Sequence, residues 1–253
     1  MYYKQKYTHL FFDLDNTLWD FDRNAKLAMR DTVDQLKLNG QVPDFNLFYD
    51  FYEAVNKQLW DAYRKQEVHK KELITRRFAE TLNHFEIKNV DPVAMNELYL
   101  DFMAQQTSLV EGAMDVLNDL KSNNYKLQII TNGFRQVQLR KLENSGIAHF
   151  FDHVFISEDL KYPKPDIRVF QHAIRSCNAK KAKSVMIGDN WETDILGARN
   201  FGIDQIFFSK DSKMPDNHPN NTPTPPKNDT FPAYTPHPNT YRIENLTNIL
   251  RLL

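Results

Sequence analysis

Five short apolar runs, none of which alternates polar with apolar residues, constrain this chain more than any other feature. They are His9–Asp13, Lys126–Thr131, His153–Ser157, Ser184–Ile187 and Gln205–Ser209, and most are rich in Ile, Val and Phe. A strand with one wet face alternates, and a strand buried on both faces does not. The runs therefore predict strands of a parallel sheet covered by helices. Helical patterns lie between them over Gly112–Asn123, Phe134–Ser145, Asp166–Cys177 and Glu192–Phe201. This alternation predicts an α/β fold with a doubly wound, Rossmann-like core.

The regularity breaks after the first strand. From about Asp22 to Gln106 only amphipathic helical patterns appear, with Phe48, Phe51, Tyr52, Val55 and Leu59 at three- and four-residue spacings. About four helices fit, broken near Gly40–Pro43, His69 and Val90–Pro92. Such a crossover is far longer than sheet topology requires, so residues 22–106 are expected to form an inserted helical cap between core segments 1–21 and 107–253. Residues 211–240 hold eight of the twelve prolines and no glycine, a composition that favours an extended loop. Order is expected to return as a strand from Tyr241 and a helix with Leu246, Ile249, Leu250 and Leu253 on one face.

Composition removes several classes of function. A formal net charge of −1 gives no field that favours a nucleic-acid polymer or an anionic membrane. No apolar run approaches the ~20 residues that span a bilayer. Leu10-Phe11-Phe12 is too short for a signal-peptide core. The single cysteine, Cys177, has no partner for an internal disulfide, and a reducing, cytoplasmic setting is expected.

The chemistry concentrates at the strand ends. Asp13 and Asp15, in Phe11-Phe12-Asp13-Leu14-Asp15-Asn16-Thr17-Leu18, place two carboxylates where open α/β sheets carry their active sites. Like charges that close need a compensating cation or proton, and oxygen donors select a hard ion such as Mg²⁺. Alone, the pair reads equally well as a solvated acidic turn. Thr131-Asn132-Gly133 ends the second run with a hydroxyl and exposed amides suited to phosphate oxygens, although it is also an ordinary strand-to-helix turn. Lys164 stands between Pro163 and Pro165, which restrict the backbone and aim a side chain that would otherwise be a surface charge. Gly188-Asp189 followed by Asp194 closes the fourth run with a second acid pair.

In this order, Asp-x-Asp-Asn-Thr, Thr-Asn, Lys-Pro and Gly-Asp-x-x-x-x-Asp resemble the four signature motifs of haloacid dehalogenase-like hydrolases. The insert resembles the helical cap of one subgroup, and Asn16-Thr17-Leu18-Trp19 resembles the bacterial 5′-nucleotidase branch. The resemblance implies a cap that contributes specificity. It also implies Asp13 as nucleophile, Asp15 as general acid and base, and Mg²⁺ held by Asp13, Asp189 and the Asp15 carbonyl. Asp194 would support the metal shell, and Thr131 and Lys164 would neutralise phosphoryl oxygens. Asn132 and Trp19 are expected at the substrate. Asp15 argues against a dehalogenase, whose halide leaves without a proton. A phosphomutase fits the same motifs. A receiver-like signalling module would be about half as long, with its acidic pair on another strand. A catalytically silent binding protein finds no lost motif residue in its favour. The expected partner is a small phosphorylated metabolite, with nucleoside 5′-monophosphates ahead of phosphoglycolate or sugar phosphates, and the chain is expected to be a monomer or homodimer. Arg76 and Arg77 read either as anion ligands or as surface charges, and the cap aromatics either as stacking faces or as cap core.

Overall fold

The computed structural model describes residues 6–42, 44–209 and 238–253. Six strands, β1 (His9–Phe12), β2 (Lys126–Thr131), β3 (His153–Ile156), β4 (Ser184–Gly188), β5 (Asp204–Phe208) and β6 (Thr240–Ile243), form one parallel sheet in the order β3-β2-β1-β4-β5-β6. The first strand is therefore central. His9 lies opposite Lys126 on one side and Ser184 on the other. Its Leu10, Phe11 and Phe12 have no exposed surface, which is why the run does not alternate. The proline-rich stretch expected at 211–240 lies, up to residue 237, outside the described residues.

The chain divides into two compact units. Met1–Leu18, Val110–Asn132 and Phe150–Leu253 make up the sheet unit, and Trp19–Leu109 with Gly133–His149 make up the helical unit. In the sheet unit, Phe11, Ile130, Phe155 and Met186 pack against Val169, Phe170, Ala173 and Ile174 of α8 (Ile167–Ser176). Helices α5 (Ala113–Ser122), α7 (Ser157–Leu160) and α9 (Gly197–Phe201) complete its α-helical set among the described residues. The C-terminal segment differs from expectation: it winds as a 3₁₀-helix over Leu246–Arg251. Three residues per turn place Leu246 and Ile249 on the buried side and leave Leu250 38% exposed.

The helical unit contains α1 (Phe21–Gln35), α2 (Phe45–Arg64), α3 (Lys70–His84), α4 (Pro92–Gln105) and α6 (Arg135–Asn144). Aspartates start three of them: Asp20, Asp44 and Asp91 each accept from backbone N–H groups of the first turn, and Pro92 follows Asp91 where a missing N–H does no harm. Tyr52, Phe78 and Tyr99 meet with ring centroids 5.0 to 5.5 Å apart, so the aromatic stripe includes packed core. Helix α6 follows β2 and reads from sequence as part of the core. It groups with the helical unit because Arg140 pairs with Asp101 at 2.6 Å and Asn144 donates to the Ala104 carbonyl at 2.6 Å. No helix among the described residues is long and apolar enough to cross a membrane.

Candidate active site

The carboxyl ends of three adjacent strands meet around β1, where the order of chain connections reverses. Asp13 follows β1 directly, and its N–H donates to the Ile187 carbonyl at 2.8 Å, so the nucleophile candidate is tied to β4 before its side chain is considered. The chain then turns back, with the Leu18 N–H donating to the Leu14 carbonyl at 3.0 Å. Asn16 takes φ of 61° in this turn, a left-handed conformation that Asn tolerates better than most residues. Thr131 is the buried last residue of β2, and Asn132 follows it.

Lys164 reaches this point from the loop before α8. Its ammonium lies 2.6 Å from Asp13 Oδ1 and 2.7 Å from Asp194 Oδ1, and its side chain is 2% exposed. Asp194 sits in a wide π-helical turn, Trp191–Leu196, which Asn190 caps by accepting from the N–H groups of Glu192 and Thr193. The second Asp194 oxygen accepts from the Asn190 N–H at 3.1 Å. That carboxylate lies so close to Gly188 that a Cβ there would collide with it, so glycine at this strand end is a steric requirement. Thr17 lies between the two acids after β1 and β4, donating toward Asp189 Oδ1 at 3.2 Å and, weakly, toward Asp13 Oδ2 at 3.5 Å.

Two carboxylates thus hold one ammonium, and a third stands beside them. Oxygen atoms of Asp13, Asp189 and Asp194 lie within 4.8 Å of one another. Burial, with the neighbouring carboxylates, pushes Asp13 up to about 7 against the pull of Lys164 and Asp189 up to about 8. Burial works against the charge on Lys164, yet Asp13 and Asp194 more than offset it and raise its pKa above the ordinary lysine value. Once ionised, the cluster's three carboxylates outnumber the one ammonium and offer hard oxygen donors, and so fit a divalent cation such as Mg²⁺. Asp194 is already engaged by Lys164 and the Asn190 N–H, which leaves Asp13 and Asp189 as the carboxylates with the most freedom to hold one.

The family described as haloacid dehalogenase-like hydrolases matches residues 7–202. The chain is a haloacid dehalogenase-like hydrolase. Among curated relatives, the pyrimidine 5′-nucleotidase PynA of Streptococcus pneumoniae is 35% identical over 204 residues, covering 80% of this chain and 84% of that protein. The pyrimidine 5′-nucleotidase YjjG of Escherichia coli is 33% identical over 199 residues, covering 78% and 84%. Among solved structures, magnesium-bound YfnB of Bacillus subtilis superposes with a TM-score of 0.81 at 25% identity, covering 98% of this chain and 99% of that one.

Within this hydrolase the signature residues are distributed unevenly. Asp13, Lys164, Asp189 and Asp194 form one contact network, while Thr131 and Asp15 lie at the adjoining ends of β2 and the β1 turn. Asn132, expected at the substrate, instead commits its side-chain amide to the backbone of Lys164. Trp19 belongs to the helical unit and is fully buried. Its indole N–H donates to the Gln106 carbonyl at 3.3 Å, its ring meets Phe21 edge-on, and the Lys141 ammonium lies 4.1 Å from the ring centroid. A ring packed in this way offers no free stacking face. Arg76 pairs with Glu72 and Glu80 on the surface, whereas Arg77 is buried. The sequence reading gave no role to Thr17, Gly188 or Asn190. Thr17 and Gly188 carried a signal in their spacing from Asp13 and their place at a strand end. The capping role of Asn190 had only its residue type to announce it.

Proposed function

We propose that this hydrolase is a magnesium-dependent phosphomonoesterase that works through an aspartyl-phosphate at Asp13, with nucleoside 5′-monophosphates as substrates. The observation that carries the proposal is the Lys164 ammonium shared between Asp13 and Asp194 beside Asp189. A buried carboxylate held by one rigid cation, at a strand end, is an aimed nucleophile. An Asp13 oxygen attacks phosphorus, the ester P–O bond breaks, and Asp15 gives its proton to the leaving oxygen. Water then attacks the phosphorus, returns a proton to Asp15, and releases phosphate and free Asp13. Lys164 and the Thr131 hydroxyl face the charge that gathers on the phosphoryl oxygens. Asp13, Asp189 and the Asp15 carbonyl would hold Mg²⁺, which when bound supplies positive charge against those oxygens. Gly188, Asn190 and the π-helical turn keep Asp194, and through it the ammonium, in register.

The nucleotide preference is supported by PynA and YjjG, both pyrimidine 5′-nucleotidases. It is tested by kcat/KM across nucleoside monophosphates, sugar phosphates and small phosphorylated acids. Pyrimidine nucleotides should rank among the best substrates. If they fall below sugar phosphates, the substrate assignment fails and the chemistry at Asp13 stands apart from it.

A further inference from the structure

Pro163-Lys164-Pro165 is a stretch of three residues with a single backbone N–H, because proline has none. That N–H, on Lys164, donates to Asn132 Oδ1 at 2.8 Å. The Lys164 carbonyl accepts from Asn132 Nδ2 at 3.0 Å. One side-chain amide thus takes both backbone polar groups of the lysine that engages Asp13 and Asp194.

We infer that Asn132 is a positioning residue for Lys164, acting on the reaction through the lysine's backbone and not by touching substrate with its own amide. The inference rests on the phosphatase reading of the site. Lysine is a flexible stem with a point charge at its tip, so its aim depends on what holds both ends. The tip is held by Asp13 and Asp194, and the stem is anchored by Asn132. Asn132 in turn stands at the end of β2, directly after Thr131, which is paired in register with Ile156 of β3. The anchor is therefore joined directly to the sheet, whereas Lys164 lies in a loop between β3 and β4. Only a primary amide offers a donor and an acceptor side by side. Aspartate keeps the acceptor alone, and alanine keeps neither.

The test is a double-mutant cycle with Asn132→Ala, Lys164→Ala and the combined variant, measured on the best phosphomonoester of the wild-type protein. Asn132→Ala should lower kcat by roughly 10- to 100-fold, the scale of a misplaced catalytic group, with KM within about threefold. In the combined variant the asparagine change should cost no more than about twofold beyond Lys164→Ala, because residues acting as one unit are not additive. Hydrogen exchange at the Lys164 amide, read without any substrate, should accelerate in Asn132→Ala and stay slow in Lys164→Ala. Additive losses, or a rise in KM with kcat intact, would overturn the inference and place the amide on the substrate. If Asn132→Ala does not fold, Asn132→Asp runs through the same cycle, since it keeps the acceptor for the Lys164 N–H and exchanges the donor for a carboxylate oxygen that repels the Lys164 carbonyl. A wild-type protein without phosphatase activity would refute the functional reading, while the exchange measurement would still decide whether Asn132 clamps Lys164.

Discussion

Lys164 in the sheet unit and Arg77 in the helical unit are both buried cations, with 2% and 3% of their surface exposed. Their partners differ in kind. Lys164 pairs with two carboxylates in a cluster that contains a third. The hydrogen bonds of Arg77 go to neutral amides, with Nε and Nη2 donating to Asn96 Oδ1 at 3.2 and 2.5 Å and Nη1 to Asn56 Oδ1 at 3.0 Å. Its guanidinium also lies 5.2 and 5.5 Å from the ring centroids of Phe78 and Tyr99. Burial alone therefore does not mark a charge as chemical. A surplus of opposite charge leaves a site that still calls for a cation and a substrate, whereas dipoles and ring faces close an arrangement upon itself.

The contrast is broken most directly at Asp13. Asp13→Asn should reduce kcat by at least about a thousandfold with an unchanged circular dichroism spectrum, because an amide cannot attack phosphorus. Retention of a tenth of the wild-type rate would remove Asp13 from the role of nucleophile. Asp15→Asn should lower kcat by roughly 10²–10⁴-fold, the usual range for a general acid and base. Magnesium binding sharpens the electrostatic side of the comparison. Metal binds the ionised carboxylates, and without it Asp13 and Asp189 hold their protons up to about 7 and 8. Mg²⁺ affinity measured by calorimetry should then rise steeply from pH 6 through pH 8, with release of both protons on binding at the acid end, and level off only above the Asp189 value. A flat profile would mean that both carboxylates are already ionised at pH 6 and that burial does not raise them. The smallest effect on rate belongs to the helical unit. Arg77→Met should leave kcat within about threefold yet lower unfolding free energy by roughly 2–4 kcal/mol, since the Asn56 and Asn96 oxygens lose their donors. A large loss of kcat in a well-folded Arg77→Met protein would erase the distinction between the two cations.

Much of this was legible in the sequence, for physical reasons that differ by element. Four of the first five strands announced themselves because nearly all of their residues are buried on both faces, while Asp13, Asp15 and Lys164 stood out only together, through the order of the four motifs at strand ends and helix starts. Partner choice was not legible. The pattern of α6 says helix but not which unit it joins, and that depends on Asp101 and Ala104, far away in sequence. Arg76 and Arg77 are adjacent and identical in type, yet Glu72 and Glu80 claim the first while the second turns inward. Leu250 shows a related limit, because α-helical spacing counts it as buried and a 3₁₀ turn does not. Asn132 was placed near the site by its motif, but its commitment to Lys164 depends on a loop that only the fold brings alongside.

The central place of β1 has a consequence for how the protein is made. Its His9–Phe12 segment is synthesised well before its neighbours, Lys126–Thr131 and Ser184–Gly188. At ribosomal rates the delay before both are available is on the order of ten seconds. Helices α1–α4 lie wholly within that interval, whereas α6, which completes their unit, follows β2. Leu10, Phe11 and Phe12, destined to have no exposed surface, meanwhile stay open to solvent and to other chains. The residues that later deliver Asp13 to its place thus wait for both of their neighbours, and the yield of active protein should respond to holdase chaperones acting on this segment.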